Sequence, residues 1–375
     1  MKTPLFYILL LLFVATATFA QTKEDKEKAK DLGRRAIDLV DEGKYEAGIA
    51  MLEDAHKLDP KNSTYKYEIA FALYSQKKYK EAAKLLESLL KNDDVTDYYY
   101  QLLGNTYDYL GEPEKAMDTY IAGIKKFPKS GKLYLEQGVV YISQKLYNKA
   151  LEVFELGIVA EPSYPSNYYW AAKLYSGTDY PIYSALYGEI FMNLERSSKR
   201  TEEISKLLYN VYRDAIVFTD TSVVTNFVKE NVISMDDLKL MKKGFMPFHI
   251  EFGMVMGIGA ALDKATLQTQ AFNMAYVNQV RKTFLTFWYE KGNDKQFPNP
   301  LIDYWKELDA KGHFDAYTYW IFMKGADKEG NATWVTENEQ AYTAFVDYFS
   351  PNPLRLSSKN YFTSNNFEAA GAKKK

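Results

Sequence analysis

A 34-residue period runs through the first half of this chain and restricts what it can fold into. Pro60, Pro128 and Pro162 are separated by multiples of 34, and Asp94 occupies the missing step. Repeat starts at Ala29, Ser63, Asp97, Gly131 and Pro165 keep the interval strictly. The eighth place is then always small: Ala36, Ala70, Gly104, Gly138 and Ala172. So is the twentieth, with Gly48, Ala82, Ala116, Ala150 and Ser184. The eleventh is always large, with Leu39, Leu73, Tyr107, Tyr141 and Tyr175. Such a pattern predicts helical hairpins: small residues let two backbones cross closely, and large ones fill the space between layers. Gly43, Lys77, Gly111 and Lys145 fall in the turn between the paired helices, and the prolines end the second helix of each pair.

These places resemble the tetratricopeptide repeat family. The likeness is carried by stretches such as Gly111-Glu112-Pro113-Glu114-Lys115-Ala116 and Leu146-Tyr147-Asn148-Lys149-Ala150-Leu151-Glu152-Val153-Phe154. It covers residues 29–195, as four clear repeats and a fifth whose second helix drifts. The resemblance implies an all-α solenoid of helical hairpins coiled as a right-handed superhelix, and a role in holding proteins; it implies no chemistry. In this family the first helix of each repeat lines a concave groove. Carried over place by place, the candidate groove residues are Tyr67, Phe71, Tyr74, Tyr98, Gln101, Asn105, Asp108, Tyr109, Leu135, Val139, Ile142, Tyr169 and Lys173. Repeat one adds Lys30, Gly33, Ile37, Val40 and Asp41. The lysine and asparagine places with which some relatives grip a terminal carboxylate are not filled here, apart from Asn105. An aromatic lining instead suits a protein or peptide segment with apolar anchors. The opposite expectation is that the C-terminal half fills this face and makes the same rings core.

The first twenty residues read as an export signal. Lys2 precedes the apolar run Leu5–Val14, and Ala17-Thr18-Phe19-Ala20 offers small residues for cleavage before Gln21. The run is too short to span a bilayer, so no membrane span is expected after signal removal, and the chain is expected in the periplasm or outside the cell. Residues 21–28 form a polar lead-in. Absence of cysteine removes disulfides, thiolate metal sites and a thiol nucleophile. Forty-seven basic against 49 acidic residues leave a net charge of −2, which argues against a nucleic-acid partner. The 32 Tyr and 22 Phe suit packing seams and binding faces alike.

Residues 196–368 read as a helical C-terminal region in which the repeat phase is lost, and 369–375 as a frayed tail. Helices are expected from Ile204 with Thr201 as N-cap, and near 235–243, 248–262, 264–290, 301–311, 314–324 and 337–349. Gly253 and Gly257 have a spacing that suits a tight helix crossing within a buried helix. Chemistry is sparse. His56, His249 and His313 form no zinc-protease motif, no nucleophile elbow is present, and His249 with Glu251 and His313 would meet only through the fold. No cofactor and no metal are expected. The reading is therefore a non-enzymatic interaction scaffold, with an enzyme sited in the C-terminal region or a self-assembling envelope protein as alternatives; oligomeric state is left open.

Overall fold

The computed structural model describes residues 22–219, 222–229, 233–261, 272–326 and 328–365. The expected signal peptide and frayed tail lie outside them. The described chain is all-α apart from one small hairpin, as the period predicts. It divides after Glu112 into two compact units.

The first unit holds α1 (Lys23–Asp41), α2 (Tyr45–Leu58), α3 (Thr64–Ser75), α4 (Tyr79–Leu89) and α5 (Asp97–Tyr109). Thr22 caps α1 through a reciprocal pair of hydrogen bonds with Asp25. Ala36 and Ala70 have no exposed surface. A methyl group on Gly48 would lie 2.7 Å from Val40 Cγ2 and 3.0 Å from the Ala36 carbonyl, so the crossing at the eighth and twentieth places admits no larger side chain. Gly43, Lys77 and Gly111 adopt left-handed backbone at φ 78°, 62° and 76°. Each lies at the end of a first helix, and the next amide bonds back to the carbonyl of Leu39, Leu73 or Tyr107. Asp94, the residue that replaces a proline, accepts the backbone N–H of Ser63 at 2.7 Å, while Ser63 Oγ meets Tyr99 Oη at 2.7 Å. The departure from the proline pattern thus supplies a cap for the start of α3.

The second unit begins with α6 (Pro113–Lys126), α7 (Gly131–Ser143), α8 (Tyr147–Ala160), α9 (Pro165–Tyr175) and α10 (Pro181–Leu194). Lys145 makes the same left-handed turn at φ 61°. Glu161 caps Gly131 N at 2.8 Å, as Asp94 does for Ser63. A methyl on Gly138 would sit 2.2 Å from the Phe154 ring. The second helix of the fifth repeat is complete: Ser184 Oγ donates to the Ala172 carbonyl at 2.8 Å, joining the twentieth and eighth places by a hydrogen bond.

Beyond the repeats lie α11 (Lys199–Ala215), an antiparallel pair β1 (Ile216–Phe218) and β2 (Val223–Thr225), α12 (Met235–Lys242), α13 (Phe248–Ala261) and α14 (Met274–Glu290). Then follow α15 (Asn293–Gln296), α16 (Pro300–Ala310), α17 (Phe314–Phe322), α18 (Lys328–Glu337) and α19 (Glu339–Phe349). Three local expectations are corrected. Thr201 is not the N-cap of α11; Ser198 is, and Thr201 sits at the third helical place, bonding back to the Ser198 N–H. The strand pair and α18 had no sequence signal strong enough to be read. The helix expected over 264–290 runs from Met274 among the described residues; residues 262–271 lie outside them. The tight crossing in α13 falls at Gly259, where an added methyl would meet the Val280 carbonyl at 2.8 Å.

The repeat phase extends one step further than the residue pattern showed. α11 starts 34 residues after Pro165, where the first helix of a sixth repeat would. Its eighth place is Lys206, which is not small. The close approach survives because the partner gives way: Gly325 lies so near that a methyl on it would be 3.0 Å from Lys206 Cα. One continuous core runs from Leu151 in α8 to Phe362 near the C-terminus and joins repeats four and five to the following helices.

Candidate functional site

The first-helix face of the first unit is tyrosine-rich and partly open. Tyr67, Phe71, Tyr74, Gln101 and Asn105 are half-buried, and Asp108 is exposed. Tyr98 and Tyr109 expose 53% and 63% of their surface, high for rings that have neighbours to pack on. Tyr67 packs on Tyr99 at 4.6 Å between centroids, and burial, reinforced by Glu68, raises its phenol above the ordinary range. Tyr109 stacks on Tyr79 at 5.2 Å, and Tyr74 meets both edge-on at 5.6 and 5.5 Å. Offset and edge-to-face contacts hold such rings rigid while leaving part of each surface open. In repeat one, Gly33 lies under the Tyr65 ring and Val40 is buried, Lys30 pairs with Glu27, and Ile37 and Asp41 stay exposed.

In the second unit Leu135, Val139 and Ile142 are half-buried. At the fifth repeat the corresponding face is covered by α11. Tyr169 is buried, and its hydroxyl donates to Glu203 Oε2 at 2.7 Å. Lys173 Nζ donates to Glu203 Oε1 at 2.7 Å and to Tyr169 Oη at 3.1 Å. Hydrogen bonds from Lys173 and Tyr169 hold the Glu203 carboxyl below its usual value. Burial lowers the Lys173 ammonium, but Glu203 and Tyr169 outweigh it and the net shift is upward. Arg200 lies over the Tyr169 ring at 5.1 Å. A cleft of about 280 Å³ remains beside this cluster, lined by Lys173, Ser176, Glu203, Lys206, Leu207 and Asn210. The sequence missed Glu203 and Arg200. Counting one more 34-residue step would have placed both on the neighbouring helix.

The residues weighed for chemistry do not converge. His249 is buried, with Nε2 3.5 Å from Asp237 Oδ2. Glu251 accepts from Asn293 Nδ2 at 3.0 Å, and His313 stacks on Tyr348 at 4.8 Å. Among the described residues no three His, Asp or Glu side chains group as metal ligands. A larger cleft of about 410 Å³ lies along α16, but Asp303 and Glu307 in its wall already accept the hydroxyls of Tyr289 and Tyr348.

Paired helices at a fixed interval, with a small residue at each crossing, define a helical hairpin-repeat protein. Two family models, each described as tetratricopeptide repeat, match residues 39–105 and 102–165. Residues 39–165 are thus tetratricopeptide repeats. Solved structures similar to it include TTC0263, a thermophilic tetratricopeptide repeat protein of Thermus thermophilus, at 18% identity over 48% of this chain and 98% of that one, with a TM-score of 0.40. PilF of Pseudomonas aeruginosa is 16% identical over 51% and 86%, with a TM-score of 0.43. MamA of Desulfovibrio magneticus RS-1 is 17% identical over 46% and 98%, with a TM-score of 0.36. Among curated proteins nothing matches. The fold suggests a scaffold for protein–protein interaction.

Proposed function

We propose that the chain is a non-enzymatic scaffold, exported to the periplasm or beyond, that holds an extended or helical protein segment on the tyrosine-rich first-helix face of repeats two and three. One observation carries this reading. Tyr98 and Tyr109 are held in the first unit with more than half their surface open, whereas Tyr169 at the fifth repeat is buried under α11. Open, rigid rings supply contact area at little entropic cost, which is what a segment with apolar anchors needs. Export rests on Lys2, the Leu5–Val14 run and the small residues before Gln21.

The test places a photo-crosslinking amino acid at Tyr98 in the native host. A discrete crosslinked protein is expected, and it should be lost when Tyr74→Ala and Tyr109→Ala are combined in a chain whose Tm is unchanged. Loss of crosslink together with a large fall in Tm would make the rings core and remove the reading. Export is read from cell fractionation: a chain retaining residues 1–20 in the cytoplasm would refute it.

A further inference from the structure

Three carboxylates stand on the tyrosine-rich face of the first unit in places that disfavour them. Asp41 is the last residue of α1 and Asp108 the last but one of α5, and neither helix has a basic residue in its final turn. The carbonyl end of a helix carries partial negative charge, so an acid there is repelled. Glu68 is half-buried in α3, beside Tyr67 and Tyr99. Burial, and then Asp41, raises its carboxyl above the ordinary range. Asp41 and Glu68 are thus like charges set against each other from neighbouring first helices. Among the described residues none of the three side chains has a hydrogen bond or an ion pair.

Cations on and beside these helices answer other groups or lie at the turns. Lys30 pairs with Glu27 at 3.0 Å, and Lys44 with Glu42 at 2.7 Å. Arg34 and Arg35 both approach Asp31, at 2.6 and 3.8 Å. Lys66 acts on the second helix instead: burial, with Lys66 behind it, holds the His56 imidazole of α2 down. Lys77, Lys78 and Lys80 are exposed where α3 turns into α4. The helix that carries Tyr98 and Tyr109 has no cation at all. From Asn92 to Glu112 there is no Lys or Arg but five acids, of which Asp94 is spent on capping α3.

We infer that the segment held on this face is basic, with lysine or arginine side chains lying over Tyr98 and Tyr109 and bringing their charge to Asp41, Glu68 and Asp108. The face of a tyrosine ring is the negative part of its quadrupole, so a cation gains from ring and carboxylate together. Charge complementarity selects this occupant: an acidic or purely apolar segment would leave the like-charged pair unrelieved. Acids that cost the free chain stability and pair with nothing inside it fit a site that trades stability for binding. The inference rests on the scaffold reading and adds the charge of the segment that the scaffold holds.

The test uses the full chain in its native host, with the photo-crosslinking amino acid at Tyr98. Mass spectrometry of the joined peptide should find lysine or arginine in excess over acids around the crosslink. Asp41→Asn, Glu68→Gln and Asp108→Asn together should cut the crosslink by about fivefold or more. Their Tm should hold or rise, because repulsion is relieved. Glu46→Gln, Glu53→Gln and Glu81→Gln, which change exposed acids of the second helices, should leave the crosslink as it was. A neutral or acidic captured segment, or a crosslink that survives the first triple change, would overturn the inference and leave the scaffold reading standing. A lower Tm in that variant would make the three acids structural and overturn it too. Absence of any crosslink would remove the scaffold reading and this inference with it.

Discussion

Arg281 Nη2 donates to Glu189 Oε1 at 2.6 Å in a place where neither side chain reaches solvent. Trp305 Nε1 donates to the same oxygen at 2.6 Å, and the guanidinium lies 4.5 Å from the Trp305 ring centroid. The pair ties the second helix of the fifth repeat to α14 and α16. Burial raises the Glu189 carboxyl, and Arg281 works against it. Removing one partner would strand the other charge. Arg281→Met should therefore cost about 3–5 kcal/mol in denaturant unfolding. Converting Glu189→Leu as well should recover part of that loss, and a double variant no better than the single one would contradict this account.

The C-terminal segment should behave as core. Phe362 is fully buried against Tyr183, Tyr187 and Phe248. Phe362→Ala is expected to cost about 3–5 kcal/mol, read from chemical denaturation. A loss under about 1 kcal/mol would show the segment to be dispensable.

The turns make an opposite prediction. Lys77 and Lys145 hold left-handed backbone at φ 62° and 61°, a conformation that strains a residue with a Cβ. Lys145→Gly should raise stability by roughly 0.5–1 kcal/mol despite the added freedom of the unfolded chain. Destabilisation would mean that the lysine side chain contributes more than the strain costs.

Stability should fall on mild acidification. Burial pushes the His249 imidazole below its ordinary value, against the pull of Asp237. The unfolded imidazole takes up its proton near pH ~6.5 and the folded one resists. This contribution is complete above that pH and is lost as pH drops, levelling once the folded group also titrates. Burial shifts His56 and His313 the same way. The Tm should decline from neutral pH towards about pH 5.5, and His249→Gln should flatten the slope; an unaltered slope would clear His249 of the effect.

The hairpins, their crossings and their turns were legible because a repeat restates each constraint at a fixed spacing. Ala36, Ala70 and Gly138 carry the same steric demand, so three weak signals become one strong one. The end of the array was less legible. At α11 the small residue moves from the eighth place to Gly325, more than a hundred residues away, and a periodic pattern cannot show a substitution made on another element. The candidate groove was read in the same manner, and its fifth-repeat members Tyr169 and Lys173 prove to be tied to Glu203 for that reason. The strand pair at Ile216–Phe218 is three residues long, too short to give alternation a chance. The buried Arg281–Glu189 pair had no local signature, since ionic partners 92 residues apart meet only through tertiary packing.

Glu155, buried in the second helix of the fourth repeat, takes hydrogen bonds from Tyr175, Tyr187, Ser364 and Asn365. Two of its four donor residues thus leave the ribosome some two hundred residues after it does. The fourth repeat is made early and finished late: until Ser364 and Asn365 emerge, its carboxylate lacks half its donor residues, and until Phe362 does, the core lacks a ring. A chain stalled short of Phe362 should therefore be cut by protease more readily than the finished one.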